Sequence, residues 1–117
     1  MAVVGIGVDV VDVDRFSRSA RRSTGLIARV LTDGEQSPSQ ASMAARFAAK
    51  EALAKALGAP TGLRWHDAVV RSQVTGQPTF EVTGTVADAC GRRGVTSIHL
   101  TLSHDAGVAL AMVVLES

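Results

Sequence analysis

The sequence predicts an α+β fold, a mostly antiparallel sheet wrapped around one long central helix at about residues 38–57. Three observations predict it. The element order reads strand, helices, hairpin, helix, hairpin, without the alternation of strand and helix that builds a parallel sheet. The stretch after Ser37 keeps a helical pattern for about twenty residues, and at 1.5 Å each these span about 30 Å, the width of a small domain. Two pairs of apolar runs, 68–82 and 98–115, each turn back on themselves across a short segment of turn formers.

Ala2 to Val13 is rich in Val and Ile and reads as a strand, and its near-continuous apolarity predicts burial on both faces. Gly5 and Gly7 break the run, Asp9 interrupts it before its end, and Asp14 at its edge is placed to cap a helix. That helix runs from Arg15 to about Arg22 with Phe16 as its apolar anchor, and Ser23-Thr24-Gly25 ends it. Leu26 to Leu31 predicts another helical turn or two, and Thr32 to Ser37 a polar loop. Ser37 as cap, Pro38 at the first helical position and Gln40 completing an S-x-x-Q box then start the central helix. It runs to Leu57, with Gly58 as its C-terminal stop.

Ala59-Pro60-Thr61-Gly62 is a turn, and Leu63-Arg64-Trp65 reads as a short strand. Residues 68–75 and 79–82 form a hairpin across Gly76-Gln77-Pro78. Thr85 to Arg93 is a short helix ended by Gly94, with Arg92 and Arg93 in its last turn as the helix dipole prefers. Ile98 to Leu102 and Val108 to Leu115 are strands joined across Ser103-His104-Asp105-Ala106-Gly107.

A length of 117 residues suits a single domain spanning 1–117. An apolar share of 46% with 20% charged is that of an ordinary globular chain. A net charge of +1 gives no bulk electrostatic case for nucleic acid, although Arg15, Arg18, Arg21, Arg22 and Arg29 crowd into one region. The lone Cys90 excludes an intrachain disulfide framework and fits a reducing compartment. The apolar N-terminal run has no basic segment before it and meets Asp9, Asp12 and Asp14 at once, unlike a signal peptide. No window approaches the roughly 18 apolar residues of a membrane span. The expected location is cytoplasmic.

The central helix carries its charges in unusual places. At about 100° per residue, Met43, Phe47, Leu53, Ala54 and Leu57 share one broad side. Arg46 and Lys50 fall inside that side, where an ordinary surface helix carries none. They need an anion, a partner chain or a path to the surface. Ala45, Ala49, Ala52 and Ala56 form a second side of small residues, and Glu51 with Lys55 makes an i, i+4 pair on the remaining edge.

Three polar clusters interrupt apolar elements. Asp9 lies in a strand that looks buried, where it serves either the chain's turn or a function. Glu51 stands among Lys50 and Lys55 on the helix. Ser103-His104-Asp105 sits at a hairpin tip, where Asp is a common turn former. Neighbours in sequence do not form a catalytic relay, so this run is not a triad. Two carboxylates from different elements, Asp9 and Glu51, make a minimal oxygen site of the kind magnesium accepts. Arg46, Lys50 and Lys55 would add charge for phosphate beside it. Such a clamp serves phosphoryl transfer, in which positioning and charge neutralisation do most of the work. The P-loop and dinucleotide-binding glycine patterns are absent, and Cys90 and the three histidines lack zinc-ligand spacing.

Three segments carry a resemblance. Gly5-Ile6-Gly7-Val8-Asp9-Val10-Val11-Asp12-Val13-Asp14-Arg15-Phe16 looks like the first signature of the holo-acyl-carrier-protein synthases. Arg46-Phe47-Ala48-Ala49-Lys50-Glu51-Ala52, continued by Lys55-Ala56 and Gly58, resembles the second, and Leu102-Ser103-His104 resembles the third. The order is the family's and the resemblance covers essentially the whole chain. It implies the 4′-phosphopantetheinyl transferase fold and an enzyme that moves phosphopantetheine from coenzyme A to a serine of apo-acyl carrier protein, releasing adenosine 3′,5′-bisphosphate. It also implies a homotrimer with active sites at its interfaces.

By the same resemblance, Asp9 and Glu51 match the Mg2+ ligands. Arg46, Lys50, Lys55, Gly58 and His104 match positions that hold coenzyme A, and Lys55 or Glu51 assists removal of the serine proton. Arg15, Phe16 and Arg22 lie on the helix that resembles the carrier docking surface, and carrier proteins are acidic. The turn Gly58–Gly62 is longer than the family's common Gly-Thr-Gly form. Asp105, after His104, is a general base or a turn former, and the first is preferred. Against the transferase stand a non-catalytic coenzyme A-binding trimer, for which a metal site would be superfluous, and an interaction domain, which leaves Arg46 and Lys50 unexplained.

Overall fold

The computed structural model describes residues 1–117. Strand β1 (Val3–Asp12) leads directly into helix α1 (Val13–Arg22), followed by the short α2 (Leu26–Val30) and a 3-10 turn at Asp33–Glu35. The long helix α3 (Gln40–Ala56) comes next, then a second 3-10 turn at Trp65–Asp67 and the hairpin β2 (Ala68–Ser72) and β3 (Pro78–Val82). Helix α4 (Gly84–Arg92) and the hairpin β4 (Ser97–Asp105) and β5 (Val108–Glu116) complete the chain. The main sheet has the order β1-β5-β4, antiparallel throughout, and β2-β3 forms a separate two-stranded antiparallel sheet. The α+β fold with one long helix against an antiparallel sheet is as expected.

Alternation decides which residues of the sheet meet α3. Val8 pairs with Met112 and Val10 with Leu110, and these point away from the helix and stay exposed. Gly7, Asp9 and Val11 pair with Val113, Ala111 and Ala109 on the other face, where Val113, Ala111 and Ala109 are fully buried. The expected burial of β1 on both faces is therefore corrected. Both faces are apolar, but this chain covers only one, and Ile6, Val8, Val10, Leu110 and Met112 remain an open apolar surface.

Gly5 and Gly7 explain how closely α3 approaches. A Cβ on Gly7 would overlap the carbonyl oxygen of Ala52, and one on Gly5 that of Ala56. The small-residue side of the helix thus lies directly on the glycines of β1, backbone against backbone. Ala45, Ala49, Ala52 and Ala56 are all buried.

Several local starts differ from expectation. Asp12, rather than Asp14, caps α1 by accepting from the Arg15 amide at 2.9 Å. Helix α3 begins at Gln40 with Ser39 as its cap, accepting from the Ser42 amide at 3.2 Å, while Ser37 accepts from the Ser39 amide outside the helix. A reaching-back glutamate forms one turn earlier, where Glu35 accepts from the Thr32 amide at 2.9 Å. The segment read as a strand at 63–65 instead enters a 3-10 turn. Asp67 binds the amide and hydroxyl of Thr85 at the start of α4, which pulls its carboxyl below the ordinary aspartate value and ties the turn to that helix. Strand β4 runs on through Ser103, His104 and Asp105, so the hairpin tip is Ala106-Gly107, both at positive φ as a tight two-residue turn requires. No helix is long and apolar enough to cross a membrane.

Candidate active site

Asp9 reaches the site because β1 turns it toward α3, two residues beyond Gly7, where the helix lies closest. Lys55 meets it there, donating to Asp9 Oδ1 at 2.9 Å and to the Val8 carbonyl at 3.1 Å. The expected Glu51–Lys55 ion pair is thus replaced by a bond across to the strand. Glu51, one turn earlier on α3, lines a cavity of about 350 Å³ with Asp9, Asp12, Arg15, Phe16 and Phe47.

Burial pushes the Glu51 carboxyl above its ordinary value, the negative charge of Asp9 pushes it further, and Lys55 offsets part of this. Two carboxylates held where each opposes the other's charge form the arrangement that a divalent cation relieves. Asp12 lines the same cavity, but no third His, Cys, Asp or Glu stands close enough to share one ion with them, so a magnesium ion held here would keep most of its positions for water and substrate oxygens. The donor set fits the hard cation in charge and atom type.

Glu51 also borders a second cavity of about 240 Å³, walled by Ala54, Ala59, Pro60, Leu63 and Trp65. Gly58 shapes that wall as the stop of α3. Its φ of +83° and the positive φ of Ala59 turn the chain back, with the Ala59 amide on the Ala54 carbonyl at 2.7 Å. Arg93 fastens the same helix end, donating to the carbonyls of Leu57 and Val4.

Lys50 borders the second cavity, but its ammonium is bonded inside the chain. It is almost fully buried, and its ammonium donates to Glu35 Oε1 at 2.7 Å and to the carbonyls of Val30 and Trp65 at 2.7 and 3.1 Å. All three of its protons are spent inside this chain, and burial holds its pKa below the ordinary lysine value despite Glu35. Arg46 donates to the Glu35 carbonyl and lines a third cavity of about 250 Å³ with Ser42, Val70, Leu102 and His104. His104 is exposed on β4, in register with Ala109. Arg46 and His104 are therefore together, but not with Asp9 and Glu51.

Asp105 lies at the end of β4, beside the turn. Its carboxylate accepts from the Ala106 amide at 2.9 Å, and strand alternation turns it to the opposite face from His104. Phe16 is buried and packs against Phe47 in a tilted pair with ring centres 5.4 Å apart, so it anchors α1. Arg15, Arg18, Arg21, Arg22 and Arg29 are all exposed. The residue that inspection of the sequence missed is Glu35. The signal was present as Thr32-x-x-Glu35, a box pattern, and as a buried-side lysine lacking a partner.

Residues 5–113 match the model of the 4′-phosphopantetheinyl transferase superfamily. The chain is 55% identical over 118 residues to a holo-acyl-carrier-protein synthase of Frankia alni, covering 100% of both. Among solved structures, it superposes on the Helicobacter pylori holo-acyl-carrier-protein synthase in complex with coenzyme A with a TM-score of 0.83 and 28% identity, over 95% of this chain and 99% of that one. The Bacillus anthracis holo-acyl-carrier-protein synthase in complex with CoA (3′,5′-ADP) gives 0.79 and 31%, over 98% and 97%. With its three signatures on β1, α3 and β4 and its fold shared end to end with these enzymes, the chain belongs to the 4′-phosphopantetheinyl transferase superfamily, and within it to the holo-acyl-carrier-protein synthases.

Proposed function

We propose that the chain transfers 4′-phosphopantetheine from coenzyme A to a serine of apo-acyl carrier protein, with Mg2+, giving holo-carrier and adenosine 3′,5′-bisphosphate. The observation that carries this reading is the convergence of Asp9 and Glu51 on one cavity, with Glu51 raised by burial and by Asp9. Asp9 and Glu51 would hold the ion, which when bound offsets the charge of the coenzyme A pyrophosphate.

The chain's own groups do the rest. In the transfer the serine oxygen bonds to the phosphorus bearing pantetheine, and the bond from that phosphorus to the departing nucleotide phosphate breaks. The serine proton must leave as this happens. Glu51, on the carboxylate cavity, and Lys55, bonded to Asp9 beside it, are the two groups placed to assist its removal. Lys55, half exposed beside Asp9, adds positive charge where the pyrophosphate lies. The second cavity, bounded by Glu51 and the turn after Gly58, takes the rest of coenzyme A. The Bacillus anthracis relative, solved with CoA (3′,5′-ADP), supports that ligand class.

Two observations support an assembly. The apolar face of Ile6, Val8, Val10, Leu110 and Met112 is open, and Arg46 with His104 lines a cavity apart from the carboxylates. A homotrimer would cover the first and bring Arg46 and His104 of one protomer to the site of its neighbour. The exposed arginines of α1 suit an acidic carrier protein. A cytoplasmic location accords with the free Cys90. The test is product release. Incubation with coenzyme A, magnesium and apo-carrier should liberate one adenosine 3′,5′-bisphosphate per carrier modified, and coenzyme A that binds without any release would sink the reading.

A further inference from the structure

We infer that Glu35 is a positioning residue for the coenzyme A cavity, acting through Lys50 and Trp65 without touching substrate; this rests on the function proposed above. Glu35 is 1% exposed, in the turn before α3. Its Oε1 accepts from Lys50 at 2.7 Å and from the amide and hydroxyl of Thr32 at 2.9 and 3.2 Å. Its Oε2 accepts from the Val70 amide at 2.8 Å. One carboxylate thus joins the turn, the first strand of the small hairpin and α3. Lys50 extends the link to the carbonyls of Val30 and Trp65.

The link ends on the walls of the site. Trp65 walls the second cavity together with Glu51, and its indole stacks on Phe47 with ring centres 5.5 Å apart. Phe47 lies one helical turn before Glu51, lines the carboxylate cavity and packs in turn against Phe16 of α1. A displaced Trp65 therefore moves both cavities.

Stability alone is a poor reason for such a pair. Desolvation offsets much of the attraction between buried charges, and apolar residues of similar volume commonly replace them without loss. An apolar pair cannot, however, hold the carbonyls of Val30 and Trp65 in place. That is the part of the arrangement that geometry needs.

The double variant Glu35→Gln with Lys50→Met separates the two roles, because it leaves no bare charge behind. Trp65 is the chain's only tryptophan, so its emission reports on the cavity wall directly, with or without coenzyme A. A positioning role predicts a still cooperative melt, lowered by the unmade hydrogen bonds of Val30, Trp65 and Val70, with red-shifted Trp65 emission and a KM for coenzyme A raised about tenfold while kcat stays within about threefold. Unchanged emission and unchanged KM in the folded double variant would overturn the inference. Should the double variant not fold, Glu35→Asp keeps the charge on a shorter arm. It should shift emission and KM in the same direction by less, and a folded Glu35→Asp with both unchanged overturns the inference equally. Failure of the parent protein to bind coenzyme A would defeat the proposed function, while the emission in ligand-free protein still decides the part played by Glu35.

Discussion

Lys55 Nζ lies 2.9 Å from Asp9 Oδ1, so the lysine four residues after Glu51 is bonded to the strand instead of to its helix neighbour. The pair is half open to solvent on the lysine side, and exposed pairs of this kind contribute about 0–1 kcal/mol. Lys55→Ala should therefore melt close to the parent. Its turnover should nevertheless fall about a hundredfold, since a positioned group in proton or charge transfer is worth about that much. Steady-state kinetics beside a thermal melt checks both halves. Parent-like turnover would remove Lys55 from the site.

Stability should respond to pH through Glu51. Its folded carboxyl lies above the ordinary glutamate value of 4.5, from burial first and from Asp9 second. The folded chain therefore keeps a proton that the unfolded chain has already released. The associated stability is present below the unfolded value and is lost as pH rises through the raised folded value. In EDTA, the melting temperature of the parent should fall across that window, and that of Glu51→Gln should fall less, leaving the variant the more stable near neutrality. Magnesium should narrow the gap. Identical melting profiles for the two proteins in EDTA would contradict this account of the carboxylate pair.

Gly7→Ala should damage fold and site together. The added methyl meets the Ala52 carbonyl, a backbone atom in mid-helix that can yield only if α3 moves. Overpacking of this kind costs about 1–3 kcal/mol. Because Asp9 follows two residues later on the same face, lifting the helix also separates Asp9 from Glu51. Urea unfolding should show the loss, and a variant as stable and as active as the parent would show that the close approach is not needed.

Subunits should complement one another. If Arg46 and His104 serve a neighbour's carboxylates, a preparation of His104→Ala and a preparation of Glu51→Gln, each poorly active, should recover activity when unfolded together and refolded. Mixed assemblies then contain some sites with both wild-type halves. Val8→Asp, on the open apolar face, should yield smaller particles by light scattering and lose activity with them. A fully active monomer would end the interface model.

The central helix was legible as one carrying misplaced cations, and its small-residue side was legible too. What each side meets was not. Glu35, the partner of Lys50, sits fifteen residues upstream in a short polar turn, and helical periodicity says nothing about pairing across a loop. Gly5 and Gly7 were legible as breaks in a strand. Their purpose became visible only with Ala52 and Ala56 lying against them. In β1 the large apolar residues Ile6, Val8 and Val10 lie on the open face while Gly5, Gly7 and Asp9 lie on the covered one, so hydrophobicity alone points to the wrong side. The reading of Asp105 as a base rests on its place beside His104, while its carboxylate accepts from the Ala106 amide at the turn. Asp9 and Glu51 stand out in the sequence because each interrupts an apolar element, a signal that survives without knowledge of packing.

The most direct test is the intact mass of an apo-acyl carrier protein after incubation with coenzyme A and magnesium, using the parent chain and Glu51→Gln side by side. The account predicts a gain of one phosphopantetheine with the parent and none with Glu51→Gln, in a variant that still melts cooperatively. A parent that leaves fatty-acid, polyketide and peptide carriers all unmodified, or a Glu51→Gln variant that modifies them at the parent's rate, would contradict it.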